Sequence, residues 1–298
     1  MKILLSLTKR NIKLFFKDKG MFLTSLITPL ILLVLYVSFL GKIYRDTFTA
    51  NIFNVGSLNK NIIDGLVGGQ LISSILAVSC ITVAFCSNFL MVQDKALATI
   101  KDLTITPVKS STLALSYYLA TLFSALIICY TATFMCLVYI AITGWYLSVT
   151  DILLLLLDVF LLVMFGTALS SIINYFLSSQ GQISAVGTIV SSGYGFICGA
   201  YMPISSFSPT LQKIISFLPG TYGTSLVRNH SMQGAISELE KCGVASESIK
   251  GLNDAMDCNL YFFGNQVTIP SMYFILIFST FLLISIYVLI NCFLKKNR

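Results

Sequence analysis

Six long apolar runs limit what this chain can fold into more than any other feature. They cover residues 21–41, 66–91, 113–143, 152–176, 183–202 and 271–294. An α-helix rises about 1.5 Å per residue, so roughly 20 apolar residues cross a bilayer core. Hydrocarbon offers no water to backbone N–H and C=O groups, so each run must satisfy its own hydrogen bonds as a helix. The expected fold class is therefore an all-α membrane protein with six transmembrane helices in a single domain over residues 1–298. Composition agrees: 56% of the residues are hydrophobic and 10% charged, where soluble domains carry about 25% charge. No small-residue cleavage site follows the first run, which is read as a retained span and not a signal peptide.

The charge pattern sets a topology. Lys2, Lys9, Arg10, Lys13, Lys17 and Lys19 precede the first span, Lys95, Lys101 and Lys109 follow the second, and Lys295, Lys296 and Arg298 end the chain. With six spans these twelve fall on one side, and the other seven Lys and Arg are spread over longer loops that hold most of the acids. The positive-inside rule then places both termini in the cytoplasm, in a cell (cytoplasmic) membrane. The net charge of +7 does not indicate nucleic acid, because the basic residues flank apolar runs and do not form one patch. Residues 1–20 place Ile3, Leu4, Leu7, Asn11, Leu14 and Phe15 near helical spacing, away from most of the lysines. That pattern fits a basic amphipathic helix on the inner membrane surface, or a basic segment that only sets topology.

Residues 203–270 form the longest non-spanning stretch and are expected to be external. Within them Leu211, Ile214, Ile215, Phe217 and Leu218 make a short apolar run bounded by Pro203, Pro209 and Pro219, which reads as a re-entrant or interfacial helix. Ser237 to Asp257 is polar and acidic and reads as a small soluble cap. Cys242 and Cys258 lie in or beside the cap, either bridged as an external disulfide or as two free thiols. Five of the other six cysteines lie inside apolar runs and Cys292 near the end of the last.

No catalytic constellation is present in the sequence. The chain has one histidine, His230, read as an exposed residue of the external segment. Asp158 is the one charge well inside a span. Intramembrane acids are costly and mark functional sites by default. The preferred reading of Asp158 is nevertheless an acid hydrated from outside or bonded to a neighbouring helix, ahead of a substrate or proton site. The phosphate-binding pattern G-x-x-x-x-G-K-[ST] is absent, so energy from ATP would have to come through another chain. In span five, Gly187, Ser191, Gly195 and Gly199 recur every four residues and form a small-residue stripe along one face. Such a stripe lets a second backbone approach closely, from another subunit or from this chain, or leaves room in a cavity.

The loop at 93–111 is the most informative stretch. It mixes charge with Leu97, Ile100, Leu103 and Ile105 and is stopped by Pro107, a pattern suited either to docking in a partner's groove or to an interfacial helix resting on lipid. It resembles the cytoplasmic loop of ABC-2 type (type-2 ATP-binding cassette) transporter permeases: Asp94 stands at the family's acid, Thr99 at its threonine, Leu103 at its leucine, and Thr106 and Pro107 at its Thr-Pro. Ala98 stands where the family usually has glycine, and Ile100 where leucine is usual. The basic amino end, Asp18 before span one, Pro29 within it and Gly41 at its end fit as well.

The resemblance implies the ABC-2 exporter fold, with an amino-terminal elbow helix, six spans and a re-entrant external segment before the last. It implies a permease subunit, not an enzyme, that carries no cofactor. ATP and Mg would sit on separate ABC ATPase subunits that act on the coupling residues Asp94, Thr99, Leu103, Thr106 and Pro107. A second permease subunit, as a homodimer, would complete the pathway, with the span-five stripe at or near the boundary. Family members export drugs, peptides, lipids or lipid-linked polysaccharides, and the sizeable cap favours the drug or peptide class. A secondary carrier or channel should show more intramembrane ionisable or broken-helix sites than the one acid here.

Overall fold

The computed structural model describes residues 2–51, 60–105 and 108–293. Among these the regular elements are helices except for one short hairpin. Helix α1 (Lys2–Lys17) is separated from α2 (Lys19–Leu35) by Asp18, whose carboxylate accepts the N–H groups of Gly20 and Met21 at 3.0 and 3.1 Å. A carboxylate at this position satisfies free donors of the next helix and so starts it afresh. A π-turn at Tyr36–Leu40 leads to α3 (Gly41–Asn51). Helix α4 (Lys60–Ser87) is followed by α5 (Phe89–Ala96), α6 (Thr99–Ile105) and α7 (Ser110–Thr143). The capping boxes Ser148/Asp151 and Ser179/Gln182 start α8 (Val149–Tyr175) and α9 (Gln180–Ile197). Then come α10 (Pro209–Ile215), α11 (Pro219–Lys241), α12 (Ser246–Ala255), the antiparallel strands β1 (Leu260–Phe262) and β2 (Asn265–Val267), and α13 (Ile269–Phe293).

Among the described residues five helical stretches are long and apolar enough to cross a membrane: Lys19–Asp46, Asn61–Ala96, Ser110–Thr143, Val149–Tyr175 and Ile269–Phe293. The expected fifth span, 183–202, is shorter than anticipated, because α9 ends at Ile197. Gly199 takes a left-handed φ of 73°, and the N–H groups of Ala200 and Tyr201 both return to the Gly195 carbonyl. This is how a helix ends on glycine. The sixth expected span closes with Leu294, which together with Lys295, Lys296 and Arg298 lies outside the described residues.

The larger departure concerns residues 203–270. The short apolar run forms only the seven-residue α10. The next segment, which carries no continuous apolar run, is α11, a 23-residue helix buried between α4, α8 and α13. Its register is antiparallel to all three. Ser231 meets Gly69 of α4 and Ala235 meets Gly65, while Gly223 meets Leu162 of α8 and Leu276 of α13. Leu162 lies thirteen residues into α8, about 20 Å along it. The start of α11 is therefore deep in the bundle, and the helix climbs out to the end that holds the hairpin and the 144–148 loop, here the hairpin end. The opposite end, where α1 meets α5, is the terminal end. Only the last turn of α11, α12 and the turn after it match the polar cap expected from Ser237 to Asp257.

Candidate functional site

The loop at the terminal end is built as a helical hairpin. Helix α5 stops at Ala96, and Ala98 turns the chain with φ of 60° before α6 begins. Left-handed backbone is easy for glycine and costs an alanine about 1 kcal/mol, so the alanine occupies a place where glycine would be strain-free. We expect Ala98→Gly to be tolerated. Ala98→Val, whose branched Cβ suits this backbone worse, should cost about 2 kcal/mol of local stability. Limited proteolysis of the loop measures both, and equal cleavage of the two variants would contradict the strained turn.

Asp94 is 5% exposed and does not face outward. It accepts Arg10 Nη1 of α1 at 2.8 Å and the Tyr117 hydroxyl of α7 at 2.5 Å, so one carboxylate ties three elements together. The hydrogen bond that Arg10 donates to Asp94 is the main cause that holds its guanidinium pKa above the ordinary value. Next to it, the Lys95 ammonium donates to the carbonyls of Asn174 (3.2 Å), Tyr175 and Leu177 (3.4 Å), where the free carbonyls ending α8 gather partial negative charge. Asn88, at the break between α4 and α5, donates to Ser170 and Ser171 at 3.0 Å each and accepts from Thr121.

Of the sequence-expected coupling residues, Asp94 is thus inside the joint. Thr99 opens α6 half-buried, and Leu103, also half-buried, packs with Ile100 against the chain's own core. The apolar side chains that do point outward are Leu97, 74% exposed, and Ile105, 83% exposed. Thr106 and Pro107 lie outside the described residues.

A second polar centre lies in the half of the bundle nearer the hairpin end. Asp158 is fully buried. Its two oxygens meet His230 Nδ1 of α11 at 2.5 Å and the Tyr273 hydroxyl of α13 at 2.6 Å. This corrects the reading of His230 as an exposed surface residue, since only 7% of it is exposed. Two residues earlier on α11, the fully buried Arg228 donates to the Gly199 carbonyl at 2.8 Å and to Asp257 at 3.4 Å. Asp257 also accepts the Ile204 N–H at 2.9 Å. Burial raises the Asp257 carboxyl, against the lowering effect of Arg228. Sequence reasoning passed over Arg228 altogether. The signal was two ionisable residues, Arg228 and His230, between small residues at Gly220, Gly223, Thr224, Ser225, Ser231 and Gly234.

The span-five stripe is engaged within the chain. Gly187 lies against the Phe89 ring, the Tyr201 hydroxyl donates to the Ser191 carbonyl at 3.3 Å, and Gly195 lies beneath the Tyr201 ring. Gly199 forms the turn already described. The exposed positions of α9 are different ones, among them Ser184, Ile189 and Ser192. Cys242 and Cys258 are both free thiols, which corrects the bridged alternative. Cys242 is exposed at the end of α11. Cys258 is buried, and burial pushes its thiol up to about 12.

Among known proteins, the family described as ABC-2 type transporter matches residues 3–230 of the chain. That stretch runs from α1 into the middle of α11. No curated protein matches the chain.

Proposed function

Since this chain belongs to the ABC-2 type transporter family, we propose that it is the permease of an exporter driven by ATP hydrolysis on separate ABC ATPase subunits. The α5–α6 hairpin is its docking element for the ATPase. The observation that carries this is the exposure of Leu97 and Ile105 at the end of the molecule that also holds the basic α1. Apolar side chains on a rigid helical turn suit a groove on a partner. The Asp94–Arg10–Tyr117 joint fastens that turn to α1 and α7, so a push on it is passed on and not absorbed locally.

In this reading the terminal end is cytoplasmic, in a cytoplasmic membrane, and α9 crosses as the fifth of six spans despite its dilution with glycine and serine. Helix α1 is the elbow helix. A second copy completes the pathway and meets the exposed face of α9, where Ser184 and Ser192 are small enough to allow close approach beside Ile189. The substrate is a hydrophobic or amphipathic drug or peptide.

The test is purification of the tagged chain with its ATPase from native membranes. The wild type should carry a stoichiometric subunit with a phosphate-binding loop and hydrolyse ATP. The Leu97→Asp/Ile105→Asp variant would place charges in a dry contact, at a cost of several kcal/mol. It should insert normally but lose the ATPase and its activity. A wild-type preparation without an ATPase, or a variant that keeps it, would overturn the reading.

A further inference from the structure

Phe217, Phe262 and Phe263 form an aromatic cluster at the hairpin end that the fold leaves uncovered. Phe217 is 63% and Phe263 65% exposed. The Phe217 and Phe262 rings lie 5.2 Å apart and the Phe262 and Phe263 rings 4.8 Å apart, both edge to face. The hairpin turn places Phe263 at φ of 49° and Gly264 at 86°. Positive φ at both central residues defines the tight hairpin turn, but a phenylalanine is a costly choice for it. Beside the cluster, Ile214 of α10 is 57% exposed.

Three observations say what medium these rings meet. The first is level. The carbonyls of Ile215 and Ser216, at the end of α10, accept the hydroxyls of Thr221 and Tyr222, so Phe217 sits beside the first turn of α11, its deepest part. Gly223 of the next turn touches Leu276, seven residues inside α13, about 10 Å from the start of that helix. The second is that the hairpin runs alongside α13 and not above it, because Leu260 packs in one cluster with Leu226, Met272 and Leu276. The third is charge. No charged residue occurs from Cys258 to Leu294, so the uncharged stretch that ends in α13 begins before the hairpin. Between Pro203 and Gly220 the one charge is Lys213, exposed in the last turn of α10. The hairpin's other side is polar. Tyr261 and Gln266 are cross-strand partners, and they bond to Asp254 and Asn259.

We propose that α10 and the hairpin tip form an interfacial wedge whose partner is the lipid of the leaflet at the hairpin end. Phe217, Phe262 and Phe263 sit among the upper acyl chains, and Lys213 extends to the phosphates. An amphipathic hairpin belongs at this boundary: its strand edges stay in the hydrated headgroup zone, which an open edge requires, and its rings reach into hydrocarbon. The wedge needs only that α13 crosses the bilayer, so it stands or falls apart from any ATPase.

The chain has a single tryptophan, Trp145, which makes a clean reporter available. Trp145→Phe/Phe263→Trp and Trp145→Phe/Phe217→Trp variants are each reconstituted in phosphatidylcholine vesicles. Lipids brominated near the headgroup or near the chain end, and aqueous iodide, serve as quenchers. The wedge predicts blue-shifted emission lowered about two-fold by shallow bromines, as for a group seated at the headgroup–acyl boundary, with little effect of iodide. Quenching by iodide alone would overturn it in favour of a water-exposed cap. Protection from every quencher would overturn it in favour of a surface covered by a second copy. Two reporter positions guard against one variant failing to fold.

Discussion

Asp158→Ala is expected to destabilise the protein by roughly 3–5 kcal/mol, as breaking a buried pair from one side does. His230 and Tyr273 would keep their burial and lose the carboxylate that both of them meet. The lost contacts join α8, α11 and α13, so the damage should appear as loosening of α11, not as failure of α8 to insert. Asp158→Asn retains shape and some hydrogen bonding and should cost less, about 1–2 kcal/mol. Asp158→Leu/His230→Phe removes both partners and should recover most of the loss, because apolar replacement of a buried pair is often neutral. Thermal midpoints by size-exclusion fluorescence in detergent report all three. A single alanine variant as stable as the wild type would show that the centre does not hold α11. A double variant that is stable yet transports nothing would move Asp158 from an anchor to the pathway.

Gly234→Ala should be equally damaging for a different reason. A Cβ at Gly234 would lie 2.0 Å from the Tyr146 carbonyl oxygen and 2.6 Å from its carbon. Backbone cannot rotate aside as a side-chain tip can, so α11 and the 144–148 loop would have to separate. Overpacking typically costs about 1–3 kcal/mol, and a clash with backbone on both sides should reach at least about 3 kcal/mol. Gly251 in α12 is the control, with nothing within 4 Å of its Cβ position. There the same substitution should stabilise by about 0.5–1 kcal/mol, because alanine favours helix. Opposite signs from one chemical change are the expected result. If both variants behave alike, close helix contact is not what holds α11 in place.

The long helices were legible because lipid enforces a simple code, apolar for about twenty residues. That code located α2 with the π-turn, α4, α7, α8 and α13, and stopped short of α3, whose Lys42, Arg45 and Asp46 break the apolar run. It had no purchase on α11, which meets protein on three sides and contacts it through glycine, serine and threonine, with Arg228 and His230 paired inside. Apolar periodicity reports on the solvent a helix faces, and α11 faces little of any solvent. Asp158 was visible as an anomaly, but its partners stand 72 and 115 residues away, and no local pattern joins them. In the 93–111 loop the alternation of charge and apolar residues was readable, while which apolar residues face outward was not. Leu97, Leu103 and Ile105 look alike in sequence, and only packing separates Leu103 from the other two.

The antiparallel seating of α11 also bears on how the protein is made. With Arg228, Asn229 and His230 in its middle, α11 has no reason to partition into lipid by itself. Its seat between α4 and α8 must already exist when it leaves the ribosome, and α13 can close over it only afterwards. Asp158 therefore enters the membrane before its histidine has been synthesised. At ordinary rates of synthesis the gap of 72 residues lasts on the order of ten seconds. During that interval a lone carboxyl group must be sheltered by water, by a proton or by the insertion machinery. A chain stalled there would expose the same acid that later anchors the bundle, and quality-control proteases that survey membranes would meet it first.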